Sequence, residues 1–297
     1  MNVRRSALGF TVEAPAKLNL LLEVLAKRGD GFHEVETLMT PIALYDDLSI
    51  EPAPNGQIEL LVLATDASRC AEAVPTGDEN LVVRALRRLQ QRANESQGAR
   101  VKLVKRIPMA AGLAGGSSDA AAALLLGNAL WNLHWPRERL VEVAAELGSD
   151  IPFFLHRGPA ICRGRGEQIE AVPTIGNLHF VVVKPPAGLS TAEVYRHCRP
   201  SQSPHSAAAL GRALASGCLT RARTLLHNQL QPAAERLSPW IDRLRCEFSR
   251  TGCLAHQMSG SGTSYFGLCQ HARQARRIAA TLRARELGKV FAVGTAS

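Results

Sequence analysis

The feature that most constrains this chain is a glycine-rich stretch at residues 108–126, PMAAGLAGGSSDAAAALLL. Glycine loses the most backbone freedom on folding, so a crowd of glycines indicates a backbone that must wrap closely around something. An alternating, strand-like segment precedes the stretch, and an apolar helical pattern follows it. This order predicts a phosphate site, because a helix N-terminus offers free N–H groups and the positive end of the helix dipole.

Two common nucleotide signatures do not match the stretch. A P-loop needs GxxxxGK[ST], and no lysine precedes Ser117; the dinucleotide fingerprint GxGxxG is not matched either. Ser117 and Ser118 can cap the helix or contact phosphate or its metal. Asp119 suits the first helical turn but would repel a phosphate placed too near. On composition alone, an ordinary glycine-rich turn with a serine cap remains an alternative.

Charge and composition limit the class of protein only broadly. The 297 residues suit one large or two ordinary domains, and 46% hydrophobic with 21% charged residues is typical of a globular protein. The net charge of +9 favours anionic ligands in general, because the basic residues are spread at helical spacing without a basic block.

The cysteines and histidines show no familiar metal or disulfide spacing. Seven scattered cysteines, Cys70 among them, never form CxxC, which argues against a disulfide framework and a structural zinc site. The nine histidines include no HExxH. The N-terminal segment lacks the apolar core of a signal peptide and no run reaches 18 apolar residues, so we expect a cytoplasmic protein.

Strand and helix patterns mix without strict βαβ alternation, which predicts an α+β fold. Residues 10–26 have strand character that we expect Pro15 to interrupt, and a Gly-Asp-Gly turn follows. Helices are predicted over ENLVVRALRRLQQRA, from the glycine stretch to about Leu133, over PRERLVEVAAELG, and from about Ala272. Near the C-terminus, CLAHQMSGSGTSYFGLC predicts a strand, a glycine loop and a second strand.

The glycine stretch resembles a nucleotide signature, P-x-x-x-G-L-[GA]-[SG]-S-S-x-A-A. It is characteristic of the galactokinase, homoserine kinase, mevalonate kinase and phosphomevalonate kinase (GHMP) superfamily. APAKLNLLLEV, RGDGFHEVET and LGSDIPFFL narrow the match to one branch, and MSGSGTSYFG matches the third family motif. The motifs occur in the expected order over almost the whole chain. Ala110, Ala111 and Ala114 stand where glycine is frequent, and Phe32 stands where tyrosine is usual.

The resemblance implies a two-domain GHMP-kinase-like fold. Residues 1–162 would form an ATP-binding kinase domain resembling domain 2 of ribosomal protein S5, and residues 163–297 a ferredoxin-like, substrate-binding domain. The implied reaction is ATP-dependent phosphorylation of the 2-hydroxyl of 4-diphosphocytidyl-2-C-methyl-D-erythritol, in the non-mevalonate isoprenoid precursor pathway. ATP and Mg²⁺ are the implied cofactors, with the metal ligands open. The implied partner is a small cytidine-diphosphate-linked substrate, without nucleic acid or membrane, for a monomer or homodimer.

The resemblance also implies roles for individual residues. Catalysis is assigned to Lys17, as the cation of the site, and to Asp150, as the base that accepts the hydroxyl proton. ATP binding is assigned to Asn80, Lys105, Pro108, Met109, Ala110, Ala111, Gly112, Leu113, Ala114, Gly115, Gly116, Ser117 and Ser118. Substrate binding is assigned to Asn19, Phe32, His33, Thr191 and Tyr195, with the two aromatic rings covering the cytosine from opposite sides.

Each assignment has a plainer alternative. A lysine among apolar strand residues is commonly an edge residue, an aspartate before Ile-Pro is commonly a helix cap, and Lys105 can be a solvated strand residue. The alanines of the glycine stretch suggest either that they need no positive φ or that the loop is slightly reshaped. Another kinase of the superfamily would explain the glycine loop but not AKLNL with GDGFHE. An RNA-binding module would use the basic charge but not both Lys17 and Asp150.

Overall fold

The computed structural model describes residues 1–64, 74–173 and 175–296, and Cys70 lies outside them. The chain divides into two compact units. The first comprises Met1–Ala16, Leu44–Met109 and Ala114–Arg157, and the second comprises Lys17–Ala43, Ala110–Leu113 and Gly158–Ser297. Each unit is therefore assembled from three separate stretches of sequence.

The described residues form twelve strands and ten helices. The strands are β1 Arg4–Arg5, β2 Phe10–Lys27, β3 His33–Ala53, β4 Ile58–Ala64, β5 Gly98–Lys105, β6 Ala160–Gly164, β7 Gln168–Ala171, β8 His179–Lys184, β9 His227–Asn228, β10 Ala255–Met258, β11 Tyr265–Cys269 and β12 Lys289–Gly294. The helices are α1 Leu81–Ala93, α2 Gly115–Leu130, α3 Arg137–Leu147, α4 Ile151–Leu155, α5 Thr191–His197, α6 Ala207–Ala215, α7 Leu219–Ala222, α8 Gln231–Leu237, α9 Pro239–Ser249 and α10 Ala272–Arg283. No helix among these residues combines the length and apolarity needed to cross a bilayer.

The first unit places helices α1–α4 beside a sheet. The end of β3 pairs antiparallel with β5, β5 pairs in parallel with β4, and β1 pairs with the start of β2. Helix α2 is buried along almost its whole length, which suits its run of alanines and leucines. At Gly127 of α2, a Cβ would lie 2.8 Å from Leu86 and 2.9 Å from Leu89 of α1, so glycine permits the close approach of these helices.

The second unit contains a four-stranded antiparallel sheet in the order β10-β11-β8-β12. Helices α5–α9 connect β8 to β10, and α10 connects β11 to β12, so the order of strands and helices is that of a ferredoxin-like fold. An apolar core of residues such as Val181, Val183, Phe248 and Ile278 lies between this sheet and its helices. The start of β3 pairs with β6, and β9 pairs in parallel with β2.

The α+β prediction is confirmed, and so are the predicted helices and the strand, loop and strand near the C-terminus. The predicted interruption at Pro15 is wrong, because β2 continues through it. The pairing of β2 with β1 covers only Phe10 and Thr11, so the missing N–H of Pro15 removes no bond to that neighbour. Helix α2 ends at Leu130, three residues before the predicted end.

Candidate active site

The N-terminus of α2, in the first unit, has no side-chain cap. The capping position is Ala114, in the left-handed region at φ 53° and ψ 34°, and it has no side chain able to accept a hydrogen bond. Neither Ser117 nor Ser118 is the cap that composition suggested, because the helix already begins at Gly115. The first N–H groups of α2 are therefore left for an anion.

The two glycines that open α2 differ in their surroundings. A Cβ on Gly115 would lie 2.9 Å from Ile107 Cγ2 and 3.2 Å from Lys105 Nζ, so this glycine is required by packing beneath the helix. A Cβ on Gly116 would meet only Leu81, at 3.7 Å. Gly116 is exposed whereas Gly115 is buried, so Gly116 is the glycine whose open side can face a phosphate.

Two of the three alanines in the glycine stretch adopt positive φ. Ala110 has φ 47° and Ala114 has φ 53°, whereas Ala111 does not belong to this group. The suggestion that these positions need no positive φ is therefore wrong for Ala110 and Ala114. A left-handed conformation costs an L-residue about 1–2 kcal/mol, because its Cβ approaches the following carbonyl oxygen.

Lys105 lies in a buried ion network rather than on a solvated strand face. Its Nζ contacts Asp46 Oδ2 at 2.5 Å and Asp119 Oδ2 at 2.7 Å. Asp46 also accepts hydrogen bonds from the backbone N–H groups of Arg106 and Ile107. The network therefore joins the end of β5 to the second turn of α2.

The two ends of this network have shifted pKa values. Burial raises the pKa of Asp119 to about 7, even though Lys105 acts in the opposite direction. Burial by itself would lower the pKa of Lys105, but Asp119 and Asp46 outweigh it and raise that pKa. One carboxylate oxygen of Asp119, Oδ1, is buried without a hydrogen-bond partner among the described residues, and so is Ser118 Oγ.

Asn80 is the N-cap of α1. Its Oδ1 accepts a hydrogen bond from the N–H of Val82 at 2.8 Å, and its Nδ2 donates to the carbonyl of Pro75 at 2.6 Å. The oxygen and the nitrogen of the Asn80 side chain are thus both engaged in fixing the start of α1. Pro108 is half-buried, and Met109 exposes 37% of its surface.

Asp150 occupies the capping position of α4, as its plainer alternative predicted, but its side chain makes no capping hydrogen bond. Asp150 is only partly buried, and its backbone is helical at φ −85° and ψ −12°. The carboxylate is therefore not used to satisfy the first turn of α4. A partly exposed carboxylate of this kind can accept a proton from a bound hydroxyl.

In the second unit, Lys17 and Asn19 lie on the same face of β2, as their spacing predicted. Lys17 Nζ donates to Asn19 Oδ1 at 2.5 Å, and Asn19 Nδ2 donates to Thr37 Oγ1 at 2.9 Å. Thr37 in turn donates to the carbonyl of Leu21 at 2.6 Å. Lys17 and Asn19 are each only 3% exposed, so the chain of hydrogen bonds orients a buried ammonium group.

Two glycine loops meet beside this lysine. Residues 110–113 contact residues 259–262: the N–H of Ser264 donates to the carbonyl of Ala111, and Ser259 Oγ donates to the carbonyl of Gly112. A Cβ on Gly112 would lie 2.0 Å from Ser259 O, so a larger residue does not fit. A Cβ on Gly260 would lie 3.3 Å from Lys17 Nζ.

The predicted base-binding residues also lie in the second unit. The rings of His33 and Tyr195 are 5.1 Å apart between centroids, with 37° between their planes. Phe32 is 50% exposed, and the Arg165 guanidinium lies over its ring at 4.9 Å. Burial, and then the charge of Lys27, lowers the pKa of His33, which favours the neutral imidazole that can both donate and accept hydrogen bonds.

Thr191 begins α5, and its hydroxyl contacts Ser261 Oγ at 2.8 Å. The second unit thus holds Lys17, Asn19 and all the other residues predicted to bind substrate. The first unit holds Asp150, Asn80, Lys105 and the start of α2. Sequence reasoning did not assign roles to Thr37, Arg165 or Ser259–Gly262, although the MSGSG motif could have pointed to the last of these.

Models of the GHMP kinase family match both parts of the chain. The GHMP kinases N terminal domain matches residues 80–158, and the GHMP kinases C terminal domain matches residues 205–286. A 4-diphosphocytidyl-2-C-methyl-D-erythritol kinase of Pelotomaculum thermopropionicum is 42% identical over 276 residues, which cover 92% of this chain and 94% of the relative. The kinase of the same name from Thermobifida fusca is 41% identical, covering 92% and 91%.

Solved structures give the same result. A crystal structure of 4-(cytidine 5'-diphospho)-2C-methyl-D-erythritol kinase is 36% identical in sequence and superposes with a TM-score of 0.82. The superposition covers 97% of this chain and 100% of the other. A homoserine kinase from Cytophaga hutchinsonii has a TM-score of 0.72 at 19% identity, covering 98% and 96%. The second similarity concerns the fold alone.

Proposed function

This chain belongs to the 4-diphosphocytidyl-2-C-methyl-D-erythritol kinases of the GHMP kinase family, and on that premise we propose how its residues transfer phosphate. The reaction moves the γ-phosphate of ATP to the 2-hydroxyl of 4-diphosphocytidyl-2-C-methyl-D-erythritol. The observation that carries the proposal is the start of α2 at Gly115 and Gly116, because N–H groups that no side chain caps, next to an open glycine, suit phosphate oxygens.

Lys17 and Asp150 carry the chemistry in this proposal. An alcohol is a poor nucleophile at neutral pH, so a base that takes its proton assists attack on the γ-phosphorus. The carboxylate of Asp150, which does not cap α4, serves as this base. Lys17 supplies positive charge to the oxygens of the transferred group, and Asn19 holds its ammonium in one orientation.

The cytidine is bound by residues of the second unit. Tyr195 and Phe32 offer ring faces for stacking, and His33 offers a hydrogen bond to the edge of the base. Arg165 already covers one face of Phe32, which leaves the opposite face for the base. Thr191 and Ser261, joined through their hydroxyls, are weaker candidates for contact with the rest of the substrate.

The residues at the start of α2 suit a Mg²⁺ ion that arrives bound to ATP better than an ion held permanently by the protein. Asp119, the only acidic residue of α2, has one oxygen engaged by Lys105, so the helix offers no free carboxylate pair. Mg²⁺ commonly keeps several waters and binds substrate phosphates. The hydroxyl of Ser117 would be its protein contact, and the ion would neutralise phosphate charge. Lys105 and Asn80 then act by holding α2 and α1, in addition to any contact with adenine.

Acceptor choice tests the function. ATP consumption is measured with the cytidylyl substrate, homoserine and mevalonate at equal concentrations, since other members of the fold family act on such acceptors. We expect turnover with the cytidylyl substrate alone. Faster turnover with homoserine or mevalonate would assign the chain to another group of kinases. The boundary at residues 162/163, the cytoplasmic location and the monomeric or homodimeric state stay predictions.

A further inference from the structure

Three side chains from distant parts of the sequence meet in the second unit, and none of them is assigned to the kinase reaction. They are Glu23 on β2, His205 in the loop before α6, and His227 on β9. His205 Nδ1 lies 2.7 Å from Glu23 Oε1, and His227 Nε2 lies 3.7 Å from the same oxygen. The two imidazole rings stack with centroids 4.3 Å apart.

The carboxylate at the centre of this cluster is fully buried. Glu23 Oε1 accepts a hydrogen bond from the backbone N–H of His205 at 2.8 Å. Its other oxygen, Oε2, has no hydrogen-bond partner among the described residues. An ionised carboxylate taken out of water needs a cation or donors around it, and these contacts satisfy only half of it.

The donor set suits one class of ion. Two imidazoles and one carboxylate are ligands of Zn²⁺ and similar divalent transition metals, whereas Mg²⁺ and Ca²⁺ prefer oxygen alone. In a tetrahedral zinc site the ligand atoms lie about 3.3 Å apart. The three ligand atoms here lie within 4.8 Å of one another, so small side-chain rotations bring them to that spacing. The imidazoles are 43% and 30% exposed, which permits such rotations and lets the ion enter.

We propose that Glu23, His205 and His227 bind a divalent transition metal ion, with Zn²⁺ as the best match, and water as the fourth ligand. The ion would clamp the loop of residues 198–206 and strand β9 to β2. Backbone hydrogen bonds already join these segments there: Ser201 N–H donates to Val24 O, and Gln229 N–H donates to Leu22 O. The site uses no cysteine, and its ligands at positions 23, 205 and 227 have no local spacing. Cysteine spacing and an HExxH motif therefore give no signal for this site.

The test is zinc binding by the full chain purified without a histidine tag. The protein is stripped with a chelator, dialysed against Zn²⁺ and analysed for bound metal, and Co²⁺ is used as an optical probe of tetrahedral coordination. We expect one Zn²⁺ per chain, a tetrahedral Co²⁺ spectrum, and a melting temperature about 5 °C higher with saturating Zn²⁺. His205→Ala, His227→Ala and Glu23→Gln should each lose all three effects.

The control is His134→Asn, which removes an exposed histidine outside the cluster and suits the positive φ at that position. This variant should bind zinc as the parent does. Circular dichroism checks the fold of each variant, and the two histidine variants keep the test valid if Glu23→Gln does not fold. Absence of zinc binding by the parent would overturn the proposal. Equal zinc binding by the folded histidine variants would also overturn it, because the ion would then lie elsewhere.

Discussion

The ring centroids of His33 and Tyr195 lie 5.1 Å apart, although the two residues come from distant parts of the sequence. The first residue of β3 and a residue of helix α5 thus form one aromatic pair. Because base stacking on an aromatic side chain contributes about 1–3 kcal/mol, Tyr195→Ala should raise the KM for the cytidylyl substrate roughly tenfold or more. The affinity for ATP should not change. Tyr195→Phe keeps the stacking face, so its KM should stay near that of the parent; a large increase in this control would contradict stacking.

Phe32 gives an independent test of the same base site. Phe32→Ala should raise the KM for the cytidylyl substrate by a similar factor of roughly ten, because it removes a second stacking surface. Phe32→Tyr should be tolerated, since it adds only a hydroxyl to a half-exposed ring. Steady-state kinetics with both substrates measure this. An unchanged KM in Phe32→Ala would remove this ring from the base site.

Asp150→Asn tests the base. The change keeps the shape of the side chain and removes its ability to take a proton, so kcat should fall about 100-fold or more while ATP affinity is retained. Asp242→Asn is the matched control, because Asp242 is an exposed aspartate paired with Arg245 on α9. Turnover of Asp150→Asn at the level of this control would refute an essential base at position 150.

Gly116→Val tests the phosphate site at α2. The side chain would occupy the open face of the first turn without a clash in the core, so ATP affinity should fall about tenfold or more. A substitution at Gly115 is less informative, because its side chain would push against Ile107 beneath the helix. Gly176→Val is the control, since no atom lies within 4 Å of that Cβ position. Nucleotide titration measures the ATP affinity of both variants. Unchanged affinity in folded Gly116→Val would show that the phosphates bind elsewhere.

The positive φ of Ala114 predicts a stabilising substitution. Ala114→Gly should raise the free energy of unfolding by up to about 1 kcal/mol, because glycine adopts φ 53° without strain. Ala111→Gly, at a buried position without positive φ, should lower it. Urea unfolding of both variants measures the difference. Destabilisation by Ala114→Gly equal to that by Ala111→Gly would show that the conformation stores no strain.

Asp119 predicts a specific dependence of stability on pH. Its pKa is about 7 in the folded chain and about 4 when unfolded, so the folded state binds the proton more tightly. The stabilising contribution of Asp119 to the free energy of unfolding is therefore fully present below about pH 4 and is lost as the pH rises towards 7. Relative to Asp119→Asn, which cannot ionise, the parent should lose stability between these pH values. Denaturant unfolding at several pH values measures this, and a relative gain for the parent would contradict the pKa shift.

Local patterns predicted most of the fold, because periodicity and glycine positions are properties of short segments. Helices such as α1 and α10 each have an apolar stripe that is visible in their sequence, and the glycine-rich loop marks the start of α2. Pro15 was misjudged because its effect depends on which neighbouring strand pairs with β2 at that point. That information is not local.

The site was predictable only in part, for the same reason. The motifs assigned Lys17 and Asn19 to the proposed site, and their spacing correctly placed both on one face of a strand. The ion network of Lys105 with Asp46 and Asp119 joins three segments, so the sequence left Lys105 indistinguishable from a solvated residue. Arg165 over Phe32, and Ser259 against Gly112, likewise depend on contacts between distant parts of the chain.

The most direct test of the central claim compares the whole substrate with a fragment that lacks the cytidine. The fragment, the 4-phosphate of 2-C-methyl-D-erythritol, keeps the acceptor hydroxyl but removes the base that His33, Phe32 and Tyr195 are proposed to bind. Initial rates of ATP consumption are measured with both compounds, for the parent and for Tyr195→Ala. The account predicts that kcat/KM for the fragment is at least about tenfold lower, the factor expected from lost stacking, and that Tyr195→Ala does not lower it further. Equal kcat/KM for the fragment and the whole substrate would contradict a cytidine-dependent kinase.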